Sequence, residues 1–163
     1  MRKTSLILLF FVLFNITVFK VYWIPSGSME PALLEDDYVY VYQLPYLIGF
    51  GEPEYEELLV FAYPDDPNVF LIKRLIGKPG DRIALQDNHL LRNDHIADEY
   101  YLDEMMEFPD YKEIIVPDDS YFFLGDRRDQ SIDSRNFGFV EKSLIRGKAI
   151  YIIWPLERAG EVQ

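Results

Sequence analysis

Two serines separated by one glycine, Ser26 and Ser28, stand in the run Ile24-Pro25-Ser26-Gly27-Ser28-Met29, directly after the only long apolar stretch of the chain. Pro25 fixes one backbone dihedral and Gly27 opens the positive-φ region, so the run can hold both hydroxyls on a sharp turn. A hydroxyl held in that way is a candidate nucleophile for acyl transfer. The same composition also suits a linker leaving a membrane. A serine nucleophile needs a base, and histidine is the usual one. The two histidines here, His89 and His95, sit among Asp87, Asn88, Asn93 and Asp94 in polar turns, a setting for surface imidazoles. That leaves lysine, which serves as a base only when its pKa falls from ~10.4 to ~7–8, a shift of roughly 4 kcal/mol drawn from burial and neighbouring charge.

Lys73 has the setting for such a shift, inside Val69-Phe70-Leu71-Ile72-Lys73-Arg74-Leu75-Ile76. Strand alternation puts Leu71, Lys73 and Leu75 on one face, where a lysine is either a functional group or an aggregation guard on an edge strand. A third cluster runs from Gly125 to Arg135 and packs Asp126, Arg127, Arg128, Asp129, Ser131, Asp133 and Ser134 into one segment. Paired opposite charges and small hydroxyls at this density suit a mixed-charge surface loop, or the brace of a buried polar site.

These candidates need elements to hold them. Thr4 to Phe19 carries no charge, and Arg2 and Lys3 precede it. Counted to Phe19 the apolar run gives a helix of ~24 Å, and to Ile24 one of ~32 Å. The longer one spans a ~30 Å hydrocarbon layer, with Lys20 snorkelling and Tyr22 and Trp23 at the interface. The expectation is therefore a cytoplasmic N-terminus and single transmembrane anchor over residues 1–24, with residues 25–163 on the outer side as one β-rich domain. A cleaved secretory signal ending at Ser26-Gly27-Ser28 is the competing assignment, against which stand the bulky Tyr22-Trp23-Ile24 just before that site.

Strands are expected at Tyr38 to Tyr42, Leu58 to Tyr63, Val69 to Ile76, Ser120 to Gly125 and Lys148 to Trp154, with a meander of Arg82 to Leu85, Leu90-Leu91 and His95 to Ala97. Short strands and tight turns predict a mainly β, antiparallel domain, with no long helix outside the membrane. The absence of cysteine excludes disulfides, thiolate metal sites and cysteine nucleophiles. From Glu30 onward 13 basic residues face 28 acidic ones, a net of −15, which argues against nucleic acid as a partner. Ten of those acids lie between Asp94 and Asp119, opposed by Lys112 alone. They lack the ligand spacing and central glycine of a calcium loop, and suit a solvated face or an insertion.

Taken jointly and in this order behind an anchor, three boxes resemble the bacterial type I signal (leader) peptidases. They are Ile24 to Pro31 with Leu33, Ile72-Lys73-Arg74 leading to Gly77, Pro79, Gly80 and Asp81, and Gly125-Asp126 with Arg128-Asp129, Ser131, Asp133-Ser134-Arg135 and Gly138. The resemblance implies a membrane serine endopeptidase that removes signal peptides from exported precursors without a cofactor or metal. It implies Ser28 as nucleophile and Lys73 as general base, with Ser131 orienting the lysine. The Ser26 hydroxyl and the Ser28 N–H would form the oxyanion hole. Asp133 with Arg135, and Arg74 with Asp126, would be supporting ion pairs, and Ile24, Pro25, Met29, Leu33 and Ile72 would line pockets for small residues at the cleavage site. The chain departs from the family pattern at Arg127 and Gln130, where Asn is usual, at Ala32, usually Thr, and at Asp36, usually Gly. Two other roles share some of these features. A self-cleaving Ser-Lys repressor-type peptidase would carry a DNA-binding domain in place of the anchor, and an anchored module that only binds partners, or an inactive relative, would have no need of Ser28, Lys73 and Ser131 together.

Overall fold

The computed structural model describes residues 18–103 and 105–162. Twelve strands form two antiparallel sheets. The larger has the order β1 (Phe19–Trp23), β2 (Tyr38–Tyr42), β11 (Ile145–Trp154), β3 (Leu58–Tyr63), β4 (Asp66–Gly77), β9 (Ser120–Leu124), β10 (Val140–Glu141), with β12 (Gly160–Glu161) also paired to β11. The smaller has the order β7 (His95–Ile96), β6 (His89–Arg92), β5 (Arg82–Gln86), β8 (Tyr111–Ile115). Among the described residues there are also two single-turn α-helices, α1 (Leu44–Leu47) and α2 (Ser134–Phe137).

The expected strands and the meander are present, with its turns at Asp87-Asn88 and Asn93-Asp94, all four residues at positive φ. Asn and Asp accept that conformation more readily than other non-glycine residues, which is why these turns could be read in advance. β4 is longer than expected and begins at Asp66, so the turn ahead of it is tighter. β8 lies within the acidic stretch and gave no clear strand signal, because Tyr111 to Ile115 has charges in its middle.

The N-terminal expectation is corrected in part. Residues 4–17 of the expected membrane helix lie outside the described residues, but Phe19–Trp23, assigned to that helix, form the edge strand β1. β1 pairs along its whole length with β2, from Phe19 opposite Tyr42 to Trp23 opposite Tyr38. Aromatic and β-branched residues in both segments favour that ladder, and the Phe19 ring stacks on Tyr40 with centroids 4.8 Å apart. Lys20 lies over the rings of Tyr22 and Phe70, at 4.9 and 5.3 Å. Among the described residues no helix is long and apolar enough to cross a membrane.

Three apolar clusters fill the domain. Val39 and Val41 of β2, Leu58 and Val60 of β3, and Ala149 and Ile152 of β11 close around Ile24, Met29 and Leu33. The loop after β1 is thereby nailed into the core. Leu59, Phe61, Leu75 and Phe123 form a second cluster, and Ile76, Ile83, Leu85 and Leu90 with Phe122 join the two sheets in a third.

Candidate active site

β1 delivers the chain to Ile24, whose N–H donates to the Asp37 carbonyl while its own carbonyl accepts from the Asp36 N–H, both at 2.9 Å. Asp36 stands where a glycine is usual and adopts φ +68°. Its carboxylate accepts from the Trp23 indole N–H at 2.9 Å, so a short polar side chain serves this turn. Beyond Pro25 the chain makes one 3₁₀ turn, Gly27–Met29, with Ser26 at its N-cap. Met29, fully buried, draws the turn inward and leaves Ser26 exposed and Ser28 half-buried above it. The first N–H groups of a helical turn have no acceptor within it, and Ser28 is the second residue here.

β4 supplies the other half. Lys73 lies directly opposite Leu59 of β3, and its side chain is 4% exposed. Its Nζ is 2.5 Å from the Ser28 Oγ. Burial among apolar side chains pulls the lysine down to about 8, against a smaller upward pull from the Asp133 and Asp126 carboxylates. A lysine with that pKa populates the neutral amine near physiological pH, and a neutral amine can accept the hydroxyl proton.

The Gly125–Arg135 cluster backs this pair as a brace. The Arg127 N–H donates to the Ser28 carbonyl at 3.2 Å, and a Cβ at Gly125 would lie 2.6 Å from that oxygen and 2.1 Å from the Ser131 Oγ. Only glycine allows this approach. Asp133 caps α2, accepts the Gly125 N–H at 3.0 Å and is gripped by Arg135 through two bonds of 2.8 Å. Arg74 donates to Asp126 through Nε at 2.8 Å and Nη2 at 2.6 Å, with both side chains buried. The two ion pairs expected of these residues are therefore formed.

Other expected partners are arranged differently. The Ser131 hydroxyl is buried beside Gly125 but makes no hydrogen bond, to Lys73 or to anything else among the described residues. The Ser26 hydroxyl reaches Ser28 Oγ only at 3.4 Å. A shallow cleft beside Ser28 and Lys73 is walled by Ile24, Pro25 and Ile72, as expected, together with Tyr22, Phe70 and Val60. Met29 and Leu33 are absent from its walls, because both are fully buried and packed against β2 and β3.

Behind these pairs lies further buried charge that no local sequence signal discloses. Arg128 is buried and bound bidentately to Glu99, while its Nε donates to the Gly125 carbonyl at 3.0 Å. Tyr101 lays its ring 3.8 Å from the Arg74 guanidinium carbon and donates its hydroxyl to Glu56 at 2.6 Å. Burial drives that phenol far upward, which keeps it a neutral donor. The acidic stretch thus contributes Glu99 and Tyr101 to the site's support as well as a solvated face. Arg127, at a position where Asn is usual in the resembled family, pairs with Glu30 at 2.5 Å.

Comparison with known proteins accords with this arrangement. The family model described as signal peptidase, peptidase S26, matches residues 1–154. A probable signal peptidase I-2 of Synechocystis is 35% identical over 143 residues, which is 85% of this chain and 64% of that protein. The signal peptidase I of Leptolyngbya laminosa is 34% identical over 150 residues, 86% of this chain and 71% of that one, and that of Bacillus licheniformis is 31% identical over 149 residues, 85% and 78%. The crystal structure of a signal peptidase I from Enterococcus faecalis is similar with a TM-score of 0.53 and 28% identity, over 60% of this chain and 97% of the other. On this match of sequence and fold, the chain belongs to the signal peptidase family, peptidase S26, and with it to the serine endopeptidases.

Proposed function

We propose that this protein cleaves signal peptides from exported precursors by acyl transfer through a Ser28–Lys73 dyad. One observation supports this above the rest: a buried lysine, with no ion-pair partner among the described residues, lies 2.5 Å from a serine hydroxyl on a tight turn. Neutral Lys73 takes the Ser28 proton as Oγ attacks the scissile carbonyl. The protonated amine then gives that proton to the departing amine, and water, activated by the same lysine, hydrolyses the ester. The Ser28 N–H and the Ser26 hydroxyl, which rests 3.4 Å from the Ser28 Oγ, stabilise the oxyanion. Ile24, Pro25 and Ile72 receive the small side chains before the cut.

The apolar run ahead of β1, Thr4 to Val18, anchors the chain in the cell membrane, with Arg2 and Lys3 on the cytoplasmic side and the catalytic domain outside; as a helix of ~22 Å it is shorter than a ~30 Å hydrocarbon layer, a mismatch met by local thinning of the bilayer and snorkelling of the flanking basic residues. A precursor held in the same bilayer is thereby presented to the cleft. The test is cleavage of a precursor with an Ala-x-Ala site by the detergent-solubilised or reconstituted chain. Activity is expected in the parent and absent in Ser28→Ala and Lys73→Ala. Activity above a few per cent in either folded variant would show that the dyad is misassigned.

A further inference from the structure

The loop that carries Ser26 and Ser28 leaves β1 after Trp23 and rejoins the sheet at Tyr38, and both of its ends are tied to Asp37. The Ile24 N–H donates to the Asp37 carbonyl at 2.9 Å, and the Leu34 N–H donates to the Asp37 carboxylate at 2.8 Å. Between these ties the Leu33 N–H donates to the Met29 carbonyl at 2.9 Å and the Glu30 N–H to the Gly27 carbonyl at 3.0 Å. A displacement at Asp37 is therefore passed on to Ser28 through a short run of bonds. The Asp37 carboxylate is fully buried, and a buried charge needs a well-matched partner.

That partner comes from the far end of the chain. β11 ends at Trp154, the 3₁₀ turn Leu156–Arg158 follows, and β12 turns back to pair with β11. From this turn Arg158 holds Asp37 in a fork, with Nε 2.9 Å from one carboxylate oxygen and Nη2 2.9 Å from the other, while Nη2 also donates to the Ala32 carbonyl at 3.3 Å. Val162, just beyond, packs on the cluster of Ile24, Met29 and Leu33. β11 is bonded in addition to β3, where Lys148 lies opposite Leu59, and Leu59 lies opposite Lys73 of β4. The C-terminal turn thus connects the nucleophile's loop to the strands that carry the lysine.

We propose that Arg158 is a positioning residue for the cleavage reaction, which by clamping Asp37 and the Ala32 carbonyl fixes where the Ser28 hydroxyl stands relative to Lys73. It acts through the loop. The rigid guanidinium fork suits this task, whereas lysine offers one point charge and cannot reproduce the bidentate grip. Misplacing a reacting atom by ~1 Å through a change remote from the chemistry can cost about 10²-fold in rate. The proposal rests on the Ser28–Lys73 dyad assigned above.

The test compares full-length Arg158→Met and Arg158→Lys with the parent, in detergent and on one precursor. Each is assayed well below its own melting temperature, so that a loss of stability does not enter the rate. Arg146→Lys is the control, a β11 arginine that donates to the Ser143 and Ile145 carbonyls, and it should match the parent. In Arg158→Met kcat is expected to fall about thirtyfold or more, and in Arg158→Lys about fivefold or more. KM should stay within about threefold, because Val60, Phe70 and Ile72 of the cleft stand on β3 and β4. The ascending limb of the pH–rate profile should move up by about half a unit or more, as Lys73 loses its serine partner and gains water. Arg158→Met strands the Asp37 carboxylate, so if it gives no cooperative melt, Arg158→Lys decides. In the deciding variant, kcat within about twofold of the parent and an unmoved limb would make Arg158 a purely structural partner and overturn the proposal. A rise in KM alone overturns it as well. Cleavage by Ser28→Ala removes the dyad and this proposal together, whereas an inactive Ser28→Ala beside an unaffected Arg158 variant removes this proposal only.

Discussion

Lys73 and Arg74 are consecutive residues on β4 and both are buried; of the two, only Arg74 pairs with a carboxylate among the described residues. Arginine stays charged at any accessible pH and cannot be buried without an acid, which Asp126 supplies. Lysine can shed its proton instead. With Ser28 as its hydrogen-bond partner and the Asp133 and Asp126 carboxylates acting only from a distance, burial prevails and holds its pKa near 8. The pleat, by sending the two side chains to opposite faces, separates a permanent cation from a titratable one.

Cleavage is expected to rise with pH through about 8, since the neutral amine is the base. A pH–rate profile on a fixed precursor, with melting curves to bound the folded range, measures this. An ascending limb near the ordinary lysine value of ~10.4 would remove Lys73 as the base.

The same lysine costs stability. Between about 8 and 10.5 the unfolded chain binds a proton that the folded chain does not, so stability falls as pH drops from 10.5 to 8 and this contribution is constant below 8. The full effect at neutral pH is on the order of 3 kcal/mol. Lys73→Met should accordingly be inactive yet no less stable than the parent at pH 7, and should lose the parent's slope of melting temperature against pH above 8. A clearly lower melting temperature at pH 7 would contradict the assignment.

The buried Arg74–Asp126 pair should respond asymmetrically. Arg74→Met strands the Asp126 carboxylate and is expected to cost about 3–5 kcal/mol, whereas Arg74→Met with Asp126→Leu costs much less. Denaturant melts of the two single variants and the double variant give the coupling directly. Additive losses would mean that the pair does not act as one unit.

Ser131→Ala removes a buried hydroxyl that makes no hydrogen bond in the resting protein, so stability should hold or rise by up to ~1 kcal/mol. If the hydroxyl turns to Lys73 during the reaction, kcat falls tenfold or more at unchanged melting temperature, and this is the expected result. Unchanged kcat would end the orienting role. Gly125→Ala, by contrast, should inactivate, because its methyl would displace both Ser131 and the Ser28 carbonyl.

Ser26→Ala tests the oxyanion donor. Its hydroxyl is only 3.4 Å from Ser28 Oγ at rest, yet a donor aimed at the developing oxyanion is worth roughly 10²–10³ in kcat with little change in KM. Steady-state kinetics on a peptide substrate separate the two. Equal turnover would assign the second donor elsewhere.

Much of this protein was already determined by its linear order of residues. Turn chemistry at Asp87-Asn88 and Asn93-Asp94, and aromatic and β-branched alternation at Tyr38 to Tyr42, are local preferences, so those elements could be read one segment at a time. Ser28, Lys73 and the charged loop could be singled out because their residue types are anomalous for their neighbourhoods. Only the tertiary structure decided what depends on partners distant in sequence. The run Phe19–Trp23 becomes a strand because β2 offers it a ladder, although its composition continues an apolar helix. Met29 and Leu33 are core because β2 and β3 close over them, and Glu99 reaches Arg128 across 29 residues of chain. Above all, the depressed pKa of Lys73 is a property of the space around it: burial and the distance to Ser28, Asp126 and Asp133 set it, and these are fixed only when β1, β4 and the Gly125–Arg135 loop pack together.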